Sequence, residues 1–211
     1  MRQRSDIKAQ ARANFSACYW PCVLVAILVP IFMAACASIT AGLASILFSG
    51  PLAVGMNYFY VHVFQGKGDR VNVGTPFSQA FTNYGRKLGG YWWMQLFIGL
   101  WSLLFVIPGI IKTYSYAMTM YILADCPNVR AKDALKLSMR IMDGHKWELF
   151  VFQLSFIGWS LLSSLTAGLL GIFYAVPYYQ TAMAGYYLEV RENALRQGIV
   201  TLAQLEGLSA V

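Results

Sequence analysis

The chain has 211 residues, of which 58% are hydrophobic and only 12% are charged. Soluble domains carry about 25% charged residues, so this composition argues against a soluble globular enzyme and predicts insertion into a membrane. The net charge of +7 comes from cations in short segments beside apolar runs. Attraction to anionic lipid accounts for such cations, and nucleic-acid binding is not expected.

The first 17 residues are polar and basic, and they predict an amphipathic helix at the membrane interface. The apolar stretch after them is longer than the ~7–15-residue core of a signal peptide, so we expect the segment to be retained as a signal anchor. The first apolar block, 18–64, is too long for one span of about 20 residues. Ser49-Gly50-Pro51 near its middle predicts a break, and therefore a hairpin of two spans.

A second amphipathic stretch, 75–88, precedes the second apolar block, 91–124. Pro108-Gly109 lies in the middle of this block. Because proline removes a backbone hydrogen bond, the block fits either two short spans or one long helix kinked at Pro108.

A third amphipathic helix is predicted at 131–143, before the third apolar block, 148–190. The region from Gly168 to Pro177 predicts the turn of this block, and 191–211 is predicted to be a cytoplasmic tail. At helical spacing, the apolar and small side chains of 131–143 share one face, and its charged side chains share the other. The apolar face consists of Ala134, Leu135, Leu137, Ser138, Ile141 and Met142; the charged face consists of Lys132, Asp133, Lys136 and Arg140.

The sequence therefore predicts an all-α polytopic transmembrane bundle of six spans, arranged as three hairpins that each follow an interfacial amphipathic helix. We interpret these as three diverged copies of one unit. With six spans, all 16 Lys and Arg residues except Lys112 lie on one side, which the positive-inside rule makes cytoplasmic together with both termini. Five spans would leave the N-terminal or the C-terminal cations outside.

Several long strings occur in a characteristic order along the chain. The string LWSLLFVIPGIIK occupies 100–112 and continues into YSYAM at 114–118; YILAD follows at 121–125, DGHKW at 143–147 and LSFIGW at 154–159. From the N-terminal basic helix to about Val190, the chain resembles the domain-of-unknown-function 975 family of bacterial integral membrane proteins. The resemblance implies a bacterial, mostly Gram-positive, cytoplasmic membrane. It implies no catalytic residue, because the family has no assigned activity.

The first candidate site surrounds Lys112, which follows Pro108 and precedes Tyr114 and Tyr116. A lysine at mid-membrane costs about 2.5–3.5 kcal/mol on insertion scales and often has a function. One interpretation is that Lys112 extends to the outer headgroups. The other is that it binds an anionic headgroup or a substrate carboxylate at the outer face, as broken helices do in transporters.

The second candidate is an interfacial basic cluster that is expected to contact anionic headgroups at the cytoplasmic face. Its members are Lys132, Lys136, Arg140, His145 and Lys146. The acid, imidazole and amine of 143–148 also suggest proton handling, with His145 as the residue to suspect. A glycine that ends the amphipathic helix, followed by interfacial cations, explains the same residues without chemistry.

No phosphate-binding glycine loop, HExxH, GxSxG or CxxC motif occurs, so we expect no enzyme activity, no metal and no cofactor. Uncharged polar residues of the spans are interpreted as helix contacts; they are Asn57, His62, Gln95, Thr113, Thr119, Gln153, Gln180 and Thr181. Two tracks of small residues are interpreted as contacts within one chain or between chains; they are Ala34, Ser38 and Gly42, and Ser160, Ser164 and Gly168.

The favoured function is a non-enzymatic bundle that interacts with membrane lipids or partner proteins in envelope homeostasis or stress tolerance, as a monomer or a homo-oligomer. The alternative is a small transporter or channel for a lipid-like or amphipathic substrate, with its site among the breaks at Pro51, Pro108 and Pro177. A cavity ringed by Lys112, Tyr114 and Tyr116 would favour the alternative.

Overall fold

The structure is a computed structural model that describes residues 3–39, 42–104 and 106–208, and every regular element in these ranges is helical. A 3₁₀ turn lies at Gly68–Arg70 and a π-helical segment at Gly171–Ala175. The α-helices are α1 (Arg4–Ala17), α2 (Tyr19–Ile39), α3 (Leu43–Phe64), α4 (Thr75–Phe81), α5 (Tyr84–Leu104), α6 (Val106–Tyr116), α7 (Thr119–Asp125), α8 (Ala131–Ile141), α9 (Lys146–Leu154), α10 (Ile157–Leu165), α11 (Val176–Arg196) and α12 (Leu202–Leu205).

The first hairpin pairs α2 with α3 in antiparallel orientation. The Tyr60 hydroxyl donates to the Cys22 carbonyl at 3.2 Å near one end, and the rings of Phe32 and Phe48 lie 6.2 Å apart nearer the turn. The chain reverses before α3, where Gly42 has a φ of 89° that favours glycine. The predicted break at Ser49-Gly50-Pro51 is therefore wrong.

Helix α3 continues through Pro51 because another helix replaces the lost hydrogen bond. A proline inside a helix leaves the carbonyl four residues earlier without its backbone donor. Here that carbonyl belongs to Leu47, and it accepts a hydrogen bond of 2.9 Å from the Tyr84 hydroxyl of α5. The neighbouring Ile46 carbonyl accepts from the Trp92 indole at 2.7 Å. The second hairpin thus stabilises the proline turn of the first.

The second hairpin pairs α5 with α6 and α7. Gly109 on α6 lies against Ser102, and Gly90 lies against Leu123 on α7, so the two arms run antiparallel. The block 91–124 is therefore a hairpin rather than one kinked helix. Helix α5 ends at Leu104 and α6 begins at Val106, and residue 105 lies outside the described residues. Pro108-Gly109 does not form the break, because both residues lie inside α6. A Cβ at Gly109 would lie 2.3 Å from the Ser102 hydroxyl, so this glycine allows close approach of the arms.

The third hairpin pairs α9 and α10 with the π-helical segment and α11. The ring centroids of Phe156 and Tyr178 are 5.4 Å apart, and those of Phe152 and Tyr186 are 5.1 Å apart. The chain reverses between α10 and the π-helical segment, where Gly168 has a φ of 86°. The start of the predicted turn region is thus correct, whereas Pro177 lies in the first turn of α11.

The three predicted interfacial helices differ in outcome. Helix α8 buries the predicted apolar face against the bundle, which confirms that face. Helix α1 also forms, and it packs on α3 and α11 through Ile7, Ala11 and Phe15. The predicted helix at 75–88 is wrong: α4 ends at Phe81, and Asn83, with a φ of 51°, separates it from α5.

The predicted tail is part of the fold as far as residue 208. Helix α11 continues to Arg196, and the following segment buries Val200 and Leu205. Gly207 lies against the backbone of Asn128 in the loop before α8. The segment therefore covers the end of the second hairpin.

The outward faces of the hairpins carry many exposed apolar side chains. Examples are Leu24, Leu28 and Ile31 on α2, Leu96, Leu100 and Leu103 on α5, Ile107, Ile110 and Ile111 on α6, and Ile157, Leu161 and Leu165 on α10. Two described helical stretches, Tyr19–Ile39 and Lys146–Leu165, are long and apolar enough to cross a membrane. By length and apolarity, the remaining predicted spans are not confirmed.

Candidate functional site

A groove of about 560 Å³ lies between α6 and the third hairpin. It is lined mainly by aromatic and aliphatic side chains, with a few small or polar residues. The lining comprises Tyr114, Phe150, Phe156, Trp159, Tyr179, Leu154, Ile157, Ala175, Val176, Gln153, Ser160, Ser163 and Gly171. None of these residues is ionisable near neutral pH, so the groove is an uncharged site.

Three polar side chains form a hydrogen-bonded chain across the groove. The Tyr114 hydroxyl donates to Gln153 Oε1 at 3.1 Å, and Gln153 Nε2 donates to the Tyr179 hydroxyl at 3.2 Å. We call this the Tyr–Gln–Tyr cluster. A smaller cavity of about 300 Å³ shares Tyr114 and Gln153 and extends to Ala117. The cluster connects the second hairpin to both arms of the third.

Interruptions in both arms of the third hairpin flank the groove. Helix α9 ends at Leu154 and α10 begins at Ile157, and the Ser155 hydroxyl donates to the Phe152 carbonyl at the break. In the opposite arm, Gly171 packs on Ser163 and begins the π-helical segment. π-Helical turns occur frequently at functional sites, because they displace side chains from the regular helical positions.

Helix α1 supports the back wall of the groove. Lys8 Nζ donates to the Ser155 hydroxyl at 2.5 Å and lies 4.6 Å from the ring centroid of Phe156. The Phe156 ring thus lines the groove and also contacts a cation of α1. Burial, and secondarily the charge of Arg4, lowers the pKa of Lys8. This contact fixes the N-terminal helix to the break between α9 and α10.

Of the first candidate site, the structure brings only Tyr114 to the groove. Lys112 Nζ lies 5.2 Å from the Trp101 ring centroid and 5.9 Å from that of Tyr116. Tyr116 is buried, and Pro108 lies within α6. The aromatic rings on the α5 side hold the ammonium group away from the groove. Neither the groove nor the smaller cavity, both of which Tyr114 lines, includes Lys112 or Tyr116.

The interfacial basic cluster is only partly assembled. Lys132, Lys136 and Arg140 lie on the outer face of α8, and Lys132 Nζ is 5.0 Å from the Trp93 ring centroid. His145 faces inward instead: its Nδ1 lies 3.1 Å from Glu148 Oε2, and its Nε2 lies 3.3 Å from Asn193 Nδ2.

A glycine explains the inward direction of His145. Gly144 has a φ of 76°, which turns the chain before α9 and points the imidazole towards α11. Lys146 begins α9 beside it. The sequence suggested a shared surface for these cations, but the turn separates the imidazole from the cations of α8.

Sequence reasoning missed a polar cluster at the end of the second hairpin. The Arg86 guanidinium donates to the carbonyls of Leu123, Cys126 and Val129 at 2.5, 2.9 and 2.6 Å. Arg191 lies 3.3 Å from Asp125. Burial lowers the pKa of Arg86. This cluster closes the end of α7, and its arginines are indistinguishable in sequence from other flanking cations.

Lys87, next to Arg86, is also buried, and its ammonium group donates to the Gln79 carbonyl of α4. Burial, and secondarily the Arg86 charge, lowers the pKa of Lys87 to about 8. The lysine joins α4 to α5 across the turn at Asn83, where the sequence predicted one continuous helix.

No curated protein and no solved structure matches the chain. Residues 103–194 match the model of a family described as "Protein of unknown function (DUF975)". The match begins later than the resemblance seen in the sequence, but it includes every residue that lines the groove. The family whose model matches 103–194, with the whole groove, is the one that the sequence resemblance predicted.

Proposed function

We propose that the protein is a non-enzymatic integral membrane protein that binds a lipid in the groove between the second and third hairpins, in envelope homeostasis or stress tolerance. The observation that carries this proposal is the groove itself: an uncharged, largely apolar site that opens among outward-facing apolar side chains. Its volume falls within the range of roughly 300–1,000 Å³ that is usual for ligand pockets.

The proposed topology has six spans with both termini cytoplasmic. Three antiparallel hairpins support it, since each brings the chain back to the end where it began. The segments at that end, 65–90 and 126–146, carry most of the internal Lys and Arg residues, and Lys112 lies within a hairpin arm. Cations of this kind favour the cytoplasmic side.

Lipid binding in the groove needs more than apolar contact. Inside a bilayer, a lipid chain leaves one apolar environment for another, so the hydrophobic effect supplies little affinity. Shape complementarity to the aromatic walls and hydrogen bonds from the Tyr–Gln–Tyr cluster supply the remaining affinity. Separately from the groove, the cations on the outer face of α8 attract the anionic headgroups of the surrounding bilayer, by about 1 kcal/mol for each Lys or Arg near the surface.

Filling the groove should remove the bound lipid. Ala175 and Ile172 lie in the same π-helical segment, but only Ala175 lines the groove, whereas Ile172 is exposed outside it. We expect native mass spectrometry of the wild type, gently extracted from its membrane, to show one retained lipid. Ala175→Trp should lower that occupancy by about tenfold or more, because the indole takes the space of the chain.

Ile172→Trp is the matched control, since it adds the same indole outside the groove, and it should retain the lipid. Equal lipid occupancy in the three proteins, or no retained lipid in the wild type, would refute the proposed function.

A further inference from the structure

We infer that the ligand of the groove is an uncharged lipid whose head is a hydroxyl group, such as a monoacylglycerol or a long-chain alcohol, and not a phospholipid. This inference rests on the proposed function, because it names the class of lipid that the groove would take. Two independent features of the lining carry it: the absence of charge and the hydrogen-bonding capacity of the Tyr–Gln–Tyr cluster.

The cations Lys8 of α1 and Lys112 of α6 are directed away from the groove. Lys8 contacts Phe156 and is hydrogen-bonded to Ser155, which does not line the groove. Lys112 lies against Trp101 on the side of α6 that faces α5. A phosphate or carboxylate held beside Gln153 would therefore have no charged partner in the lining. An unpaired charge is expensive in an apolar environment, so the site selects against anionic heads.

The Tyr–Gln–Tyr cluster has both donors and acceptors left over. Tyr114 donates to Gln153 Oε1, and Gln153 Nε2 donates one of its two hydrogens to Tyr179. The second amide hydrogen and the Tyr179 hydroxyl hydrogen remain for a ligand, as do lone pairs on the amide and tyrosine oxygens. A hydroxyl group both donates and accepts, so it can use both kinds of site. A phosphate diester or a carboxylate can only accept.

The cluster lies at one end of the groove. From Gln153 the lining continues past Phe156 and Trp159 to Ser163 and Gly171, near the turn of the third hairpin. Ten residues of helix correspond to about 15 Å. A single lipid chain can extend along this apolar wall while its head remains beside Gln153.

The test compares two lipids with the same oleoyl chain: monooleoylglycerol and oleoyl lysophosphatidylglycerol. Affinities are measured on the detergent-solubilised full chain by titration in native mass spectrometry. We expect the wild type to bind monooleoylglycerol at least roughly tenfold more tightly, because the phosphate of the lysophospholipid has no charged partner beside Gln153 and an unpaired charge is expensive in this apolar site.

Gln153→Leu should abolish this preference by weakening monooleoylglycerol binding, with little change for the phospholipid. Gln180→Leu, which removes an amide of α11 outside the groove lining, should preserve the preference. Equal or tighter binding of lysophosphatidylglycerol by the wild type, or an unchanged preference in Gln153→Leu, would overturn the inference.

Ala175→Trp separates this failure from failure of the proposed function. If the filled groove loses both lipids and the wild type does not prefer the neutral one, the groove is a lipid site of another specificity. If Ala175→Trp changes the affinity for neither lipid, both the inference and the proposed function are wrong.

Discussion

Gly55→Ala should lower the free energy of unfolding by about 2–3 kcal/mol, at the upper end of the usual cost of overpacking. Gly55 lies on α3 where α4 crosses it. A Cβ at this position would lie 2.1 Å from the carbonyl oxygen of Pro76 and 2.9 Å from its carbonyl carbon. Backbone atoms cannot rotate away as a side chain can, so α4 must move off α3. Thermal unfolding in a mild detergent measures the loss.

The control for this prediction is Gly99→Ala on α5. A Cβ at Gly99 has nothing within 4 Å, so only the helix propensity changes. Alanine favours the helix over glycine by roughly 0.5–1 kcal/mol, and the control should therefore be neutral or more stable than the wild type. Equal effects of the two substitutions would contradict the close contact of α3 with α4.

Arg86→Met should also destabilise the fold, by about 3 kcal/mol, since hydrogen bonds to charged groups contribute roughly 1.5–3 kcal/mol each and are not additive. The guanidinium group bonds two carbonyls at the end of α7 and that of Val129 in the loop before α8, and methionine retains the length of the side chain without any donor. The last carbonyls of a helix lack intrahelical partners, so the variant removes a donor that α7 does not supply itself; the Cys126 carbonyl keeps the Val129 N–H at 3.3 Å. The same thermal assay measures this loss.

Two further variants distinguish this function of Arg86 from a general effect of charge. Arg86→Lys keeps the charge, but a single ammonium group cannot reproduce the fork that spans the three carbonyls, so we expect only partial recovery. Arg196→Met removes an exposed arginine paired with Glu192 and should leave the melting temperature unchanged. Full recovery by lysine would show that the carbonyl contacts contribute little.

The sequence predicts the elements whose environment is uniform along their length. Helix α8 is the best case, because one face meets the bundle throughout and the apolar pattern records it. The three-hairpin arrangement can also be predicted from the sequence, because each apolar block is too long for one span of about 20 residues and therefore needs two helical arms. Gly168 marks a true turn, since its φ of 86° is one that glycine adopts without strain.

Prediction from the sequence is wrong where a residue on another helix determines the local structure. The sequence pattern predicts breaks at Pro51 and Pro108. Tyr84, however, satisfies the carbonyl freed by Pro51, and Gly109 beside Pro108 is required for packing on Ser102. Such partners lie on other helices, and local patterns do not contain them.

The candidate site shows the same limit. In the sequence, Tyr114 is a candidate because it lies near Lys112, yet it lines a groove that excludes that lysine. The sequence predicts for Gln153 only a packing contact, like those of the other uncharged polar residues. Gln153 differs from those residues because it lies between Tyr114 of the second hairpin and Tyr179 of the third. This position depends on how α6 packs against the third hairpin.

The most direct test of lipid binding in the groove is photocrosslinking in native membrane vesicles with a lipid that carries a diazirine in its chain. We expect cross-links concentrated on groove residues such as Phe156, Trp159 and Val176, and their loss in Ala175→Trp. Cross-links spread evenly over the exposed faces of α2, α5 and α10, and unchanged by Ala175→Trp, would contradict lipid binding in the groove.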